Sequence, residues 1–197
     1  MKTEIEAKFL DIDPAAVRNQ LRSIGARQVY PEHLMKRKTF DYPDRRLNNV
    51  GGWVRVRQEA DAITLAYKQL DNRTIHGTKE VSVKVDDFDR TCEFLTDIGL
   101  IEKSYQETRR ELWLLGSAEI TIDTWPWIPT FMEIEAETES SVRDITRRLG
   151  LSWEQTLFGS VEIVYQKYFN VTDTEIDSWP KIIFEPIPAE IERKRKK

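Results

Sequence analysis

The chain has 197 residues, 30 Lys and Arg against 34 Asp and Glu for a net charge of -4, and 40% hydrophobic beside 32% charged side chains. That balance suits one soluble domain with a full-sized core and excludes bulk nucleic-acid binding, so any basic character that matters is local. No run reaches the roughly 20 apolar residues of a membrane span and the N-terminus has no signal-peptide core, which makes a cytoplasmic location the expectation.

The first strand contains Glu4-Ile5-Glu6-Ala7-Lys8, and the same four letters return as Glu133-Ile134-Glu135-Ala136. In an extended strand the glutamates share one face with Lys8, and Ile5 and Ala7 share the other. Asp13-Pro14 then reads as an N-cap followed by proline at the first helical position, with Val17, Leu21 and Ile24 at helical spacing and Gly25 as the stop. Strands are expected over about 27 to 31 and 34 to 42, followed by a loop rich in Asn and Gly. Trp53-Val54-Arg55-Val56-Arg57 is a strand with arginines on one face, Ile63 to Lys68 is its hairpin partner, and Lys79 to Val85 alternates again. Asp86 or Asp87 caps a second helix with Phe88, Phe94, Leu95 and Ile98 as its buried stripe and Gly99 as its stop. Strands near 102 to 115, 118 to 124 and 130 to 137 follow, the last two joined by a Trp125-Pro126-Trp127 loop. Ser140 or Ser141 opens a third helix ending at Gly150, and a fourth covers about 154 to 169.

Of about eight or nine strands, many are thus charged on one face and apolar on the other. A solvated sheet face accepts any polar residue, but here the first strand supplies Glu, Glu and Lys, the middle ones Arg, Arg and Lys, and the last Glu and Glu again. If helices cover the apolar faces, the charges point into an enclosed lumen, where opposite signs pair or hold a ligand because unpaired buried charge is expensive. The fold class expected is therefore α+β, a closed eight-stranded antiparallel β-barrel with a charged lumen and helices packed outside.

The order Glu4-Glu6-Lys8, Arg55-Arg57, a strand-end Lys68 and a late Glu133-Glu135 resembles the CYTH superfamily of triphosphate tunnel metalloenzymes over residues 1 to about 169. That division makes 1–169 the tunnel domain and 170–197 an extension over the surface with a frayed basic end. The resemblance implies a tunnel that binds a triphosphate with Mg2+ or Mn2+. Arg55, Arg57, Lys68, Lys8 and Arg109 would grip phosphate oxygens, because fixed cations suit a polyanion and arginine's fork suits its non-bridging oxygens. Glu4 and Glu6 with Glu133 and Glu135 would hold the metal, as carboxylates meet phosphate only through a cation. Asp123 resembles the family's acidic residue before the last strand and would support a metal or orient water. The family's mid-chain Glu pair survives only as Glu80, since Ser82 follows. Its later Lys-x-Arg falls at Glu107-Thr108-Arg109, with Arg110 and Lys103 as alternatives if the register shifts.

These residues suggest a metal-dependent phosphohydrolase cleaving inorganic, nucleoside or thiamine triphosphate. A class IV adenylyl cyclase with the same clamp, or a non-catalytic polyphosphate-binding module, are the alternatives. The partners expected are a small triphosphate and no nucleic acid or membrane, in a monomer or homodimer. Cys92 reads as a core residue, and His33 and His76 lack metal spacing. Lys36-Arg37-Lys38 reads as the charged half of an exposed strand, with Lys36 or Lys38 as the member that could face substrate.

Overall fold

Two-faced strands can hide their apolar side beneath helices and their charged side in a barrel, and this chain does both. The computed structural model describes residues 1–196. Its strands are β1 (Lys2–Phe9), β2 (Arg27–Asp41), β3 (Gly52–Gln58), β4 (Ile63–Leu70), β5 (Thr78–Val85), β6 (Ile101–Leu115), β7 (Ala118–Thr124) and β8 (Phe131–Ala136). They run β2-β3-β4-β5-β1-β8-β7-β6, antiparallel throughout, and β6 pairs back onto β2 to close the barrel. Around this ring β1 stands across from β2, and β8 across from β3.

The core lies outside the barrel wall. Ala7, Phe9, Ile120, Ile134 and Trp113 pack under Val17 and Leu21 of α1 (Pro14–Ser23) and Val142 and Ile145 of α3 (Glu139–Arg148). Each such side chain contributes about 1.5–3 kcal/mol by leaving water. Asp13 accepts from the amides of Ala15 and Ala16 as expected of the α1 cap, whereas α3 is capped by Thr138 rather than by a serine. Gly25, Gly99 and Gly150 sit at φ +84°, +98° and +68° just beyond the first three helices, a conformation that glycine adopts without a Cβ penalty.

Several boundaries differ from expectation. The two strands of 27 to 42 are one, β2, which absorbs irregularities near Pro31 by shifting register between Gln28 and Tyr30 and between Tyr30 and His33. In α2 (Phe88–Asp97) the buried residues are Phe88, Cys92 and Leu95, while Phe94 and Ile98 are 60% and 53% exposed. The stripe follows i, i+4, i+7, and Cys92 takes the place the expected stripe gave to Phe94. The long fourth helix is a 3-10 turn at Trp153–Gln155 and a separate α4 (Glu162–Tyr168), with Gly159 at φ +118° between them.

The segment after 170 is built into the structure. It forms α5 (Asp173–Asp177), β9 (Lys181–Ile182) and α6 (Ala189–Glu192), and β9 pairs in parallel with Tyr105 and Gln106 on the stretch of β6 that β7 does not reach. Val171, Ile176, Ile182 and Ile191 bury against Tyr165, Phe169 and Phe131. The expected fraying of 192–197 is corrected up to Lys196: Lys194 pairs with Glu175, and Arg195 stacks 4.6 Å over Phe169. The amide of Lys196 donates to the Tyr168 carbonyl, and Lys197 lies outside the described residues.

Candidate active site

Each of the eight barrel strands turns at least one charged side chain inward around a cavity of ≈ 440 Å³. Register aligns the side chains across strands. Glu6 of β1 pairs with Glu135 of β8, which in turn pairs with Glu119 of β7, making a row of three carboxylates. Lys8, Glu133 and Thr121 form the adjacent row. On the opposite wall Arg37 of β2 pairs with Arg57 of β3, and Thr39 with Arg55.

Most of the expected site residues meet here. Glu4, Glu6 and Lys8, Arg55 and Arg57, Lys68 and Glu80, and Glu133 and Glu135 all line the cavity. Lys8 lies 2.9 Å from Glu6 Oε1 and 3.0 Å from Glu133 Oε1, while Lys68 lies 2.7 Å from Glu4 Oε2 and 2.9 Å from Glu80 Oε2. Arg55 Nη2 is 3.5 Å from Glu80, and Arg57 Nη2 is 2.7 Å from Glu59.

Crowding like charges out of water shifts their protonation. Burial pushes the Glu4 carboxyl up to about 7 against the pull of Lys68, and a hydrogen bond to Glu80 and the charge of Glu6 add to the rise. Against its own burial, Glu80 is held down at about 2 by Lys68, by the hydrogen bond with Glu4 and by Arg55, so the two carboxyls share one proton. Glu133 is likewise lowered to about 2 despite burial, chiefly by Lys8 and Arg110. Burial and then Glu6 raise Glu135, and burial and then Arg57 lower Arg55 to about 10.

Two expected residues are placed differently. Arg109 points out of the barrel, exposed, its guanidinium 4.6 Å over Phe184, so the expectation that it faces the lumen is corrected by one position to Arg110. Strand parity is the reason, because neighbours in a strand face opposite sides. Asp123 is fully buried and is not among the residues lining the cavity. Arg110 grips both of its oxygens, Nε at 2.6 Å and Nη2 at 2.9 Å, and Thr121 donates to it at 2.6 Å. Arg110 also reaches Glu133 at 3.2 Å, so Asp123 acts on the lumen through Arg110.

Other lumen residues were missed. Arg37 faces inward, whereas Lys36 stacks over Phe88 and Lys38 pairs with Glu102 at 2.8 Å. Glu119, on the same parity as Thr121 and Asp123, could have been found by alternation alone. Asp173, Thr174, Ile176, Asp177 and Ile182 line the cavity from the segment expected only on the surface, a contact no local pattern encodes. Asp177 is fastened there by Asn48 Nδ2 at 2.5 Å and Lys103 Nζ at 3.5 Å.

The residues fit a hard divalent cation. The donors are all carboxylate oxygens, and among the described residues neither Glu119 nor Glu135 has a Lys, Arg or His partner within 4.0 Å. Among the described residues no three Asp, Glu, His or Cys side chains are gathered at ligating geometry. In register, Glu6 beside Glu135 or Glu135 beside Glu119 is the carboxylate pair that would hold such a cation, with water completing its shell.

A closed barrel whose lumen sets guanidinium groups against a row of carboxylates is a charged tunnel. The chain belongs to the CYTH family, whose domain model matches residues 2–170. Among solved structures it resembles a candidate adenylate cyclase from Vibrio parahaemolyticus, at 16% identity and TM-score 0.70 over 84% of this chain and 98% of that one. It also resembles the PH1819 protein of Pyrococcus horikoshii OT3, at 20% identity and TM-score 0.67 over 83% and 99%. A third likeness is to HpAC1 from Hippeastrum, a candidate adenylyl cyclase described as having a dominant triphosphatase activity, at 13% identity and TM-score 0.53 over 90% and 95%. At these identities the likeness concerns the fold. No curated protein matches the chain significantly. No helix among the described residues is long and apolar enough to cross a membrane.

Proposed function

We propose that the protein is a divalent-metal-dependent phosphohydrolase that cleaves a triphosphate inside the barrel. The observation that carries this reading is the division of the lumen: Arg37, Arg55 and Arg57 crowd one wall, and Glu6, Glu135 and Glu119 crowd the wall across from it. Among the described residues Arg37 on one wall and Glu119 and Glu135 on the other have no ion-pair partner within 4.0 Å, and a metal–polyphosphate complex would neutralise both walls at once. A bound Mg2+ or Mn2+ would screen phosphate charge and lower the pKa of an attacking water.

The chain's own residues do the rest. Arg55, Arg57 and Lys68 bind non-bridging oxygens and fix the phosphate chain along the lumen, which favours in-line attack by removing other orientations. Lys8, held between Glu6 and Glu133, keeps its proton and adds fixed positive charge beside the carboxylates. Arg110, anchored on Asp123, presents its remaining edge toward Glu133 and the cavity.

The test is product identification after incubation with inorganic triphosphate, ATP or thiamine triphosphate, each with Mg2+ or Mn2+. Orthophosphate release supports the hydrolase. Cyclic AMP with pyrophosphate would replace it with the cyclase, in which the ribose 3'-hydroxyl is the nucleophile, and no turnover would leave a binding module.

A further inference from the structure

In the run Lys36-Arg37-Lys38 the pleat sends the two lysines outward and the arginine into the lumen. Arg37 is only 5% exposed. Its Nη2 donates to Thr108 Oγ1 at 2.7 Å, its guanidinium lies 4.6 Å from the centre of the Trp125 ring, and its buried Nε has no hydrogen-bond partner. No carboxylate among the described residues lies within 4.0 Å of it, and the charged groups nearest in effect are Arg57, Arg55 and Arg110, with Asp123 opposing them more weakly. Among the described residues every other cation lining the cavity has an acidic partner: Lys8, Lys68, Arg55, Arg57, Lys103 and Arg110.

A buried guanidinium among like charges is costly, and nothing in the fold requires it, since an apolar side chain would fill the same space between Trp125 and β6. Stacking on Trp125 and the single bond to Thr108 hold the planar fork still without neutralising it, which leaves Nε and the positive charge for an anion. We propose that Arg37 is a phosphate-binding residue of this lumen, held ready by Thr108 and Trp125, whose counter-charge is the substrate. The inference rests on the reading of the lumen as a polyphosphate site and adds to it a residue outside the motifs that suggested it. Because Arg37 pairs in register with Arg57, the two grip neighbouring oxygens of one phosphate chain.

The test is calorimetric titration of the full chain with inorganic tripolyphosphate, metal chelated so that no turnover intervenes, together with the Tm of each ligand-free protein. Arg37→Met is expected to weaken binding at least tenfold while leaving the ligand-free Tm unchanged or higher, because no carboxylate loses a partner. Arg37→Lys, which keeps the charge without the fork, is expected to weaken binding several-fold and serves if Arg37→Met does not fold. Lys38→Met, on the outer face, is expected to bind as the wild type does. Wild-type affinity in both Arg37 variants, or a fall in Tm without a change in affinity, would overturn the role of Arg37 alone. Failure of the wild-type protein to bind tripolyphosphate would overturn the lumen reading and this inference with it.

Discussion

Glu6 and Glu135 are register partners on β1 and β8, two carboxylates side by side on the lumen face, of which Glu6 is paired with Lys8 and Glu135 has no cationic partner within 4.0 Å among the described residues. Lys8 reaches Glu6 and Glu133, and burial with the charge of Glu6 pushes the Glu135 carboxyl up. Like charges directly across a strand pair destabilise a sheet. Removing one is therefore expected to leave the metal-free Tm unchanged or raised, while metal-dependent turnover falls by about 100-fold or more. Glu135→Gln tests this by turnover and thermal unfolding. Full turnover at saturating metal would remove Glu135 from the metal site.

Arg57 stands on the wall across from that row and is tied only to Glu59. Arg57→Ala is expected to raise KM for triphosphate by about tenfold, the weight of one charge-assisted contact. An unchanged KM would take Arg57 out of the clamp.

Asp123 and Arg110 form a buried two-point ion pair. Removing the acid strands a cation, at a cost of about 3–5 kcal/mol. Asp123→Ala is expected to lower Tm by about 10 °C in thermal denaturation, at about 2–4 °C per kcal/mol for a chain of this size. A change of a degree or two would mean that Arg110 finds another partner.

The barrel was legible because its code is local: Glu4-x-Glu6-x-Lys8 and Arg55-x-Arg57 display the period-two alternation within a few residues, and the three helix-ending glycines mark the elements between strands. Parity failed where the sequence offered two equivalent choices. Arg109 and Arg110 are adjacent and chemically identical, and only the long register of β6 on β2 and β7 decides which one faces inward. The same holds for Arg37 among its flanking lysines. The approach of Asp177 to Asn48 and Lys103 joins residues far apart in the chain and leaves no periodic trace.

Protonation of Glu4 gives a pH signature. Its pKa rises from the ordinary 4.5 to about 7 on folding, so the folded state binds more protons than the unfolded state in that window. Its contribution to stability is present below pH 4.5 and is lost as pH rises through about 7. Glu80, lowered to about 2, contributes with the opposite sign, and that contribution is lost as pH falls from 4.5 toward 2. With metal chelated, Glu4→Gln should match the wild type in Tm at pH 5 and exceed it at pH 8. A wild type that gains on the variant across that range would contradict the shared proton.

Truncation after Asn170 removes β9 from the edge of β6 and uncovers the apolar cluster under Ile176, Ile182 and Ile191. Losing three side chains of this kind costs several kcal/mol, at about 1.5–3 kcal/mol each. The shortened chain is expected to unfold at markedly lower temperature in a melting experiment. An unaltered Tm would show that the extension is an accessory to the barrel.

The proposed function requires one lumen to hold both a divalent cation and a polyphosphate. Diffraction from crystals soaked with Mn2+ and inorganic tripolyphosphate, collected to reveal the anomalous signal of manganese, tests it most directly. An anomalous peak beside Glu6, Glu135 or Glu119 and a phosphate chain reaching Arg55 and Arg57 are expected. Manganese and phosphate bound on the outer surface, with the lumen charges still paired to one another, would contradict it.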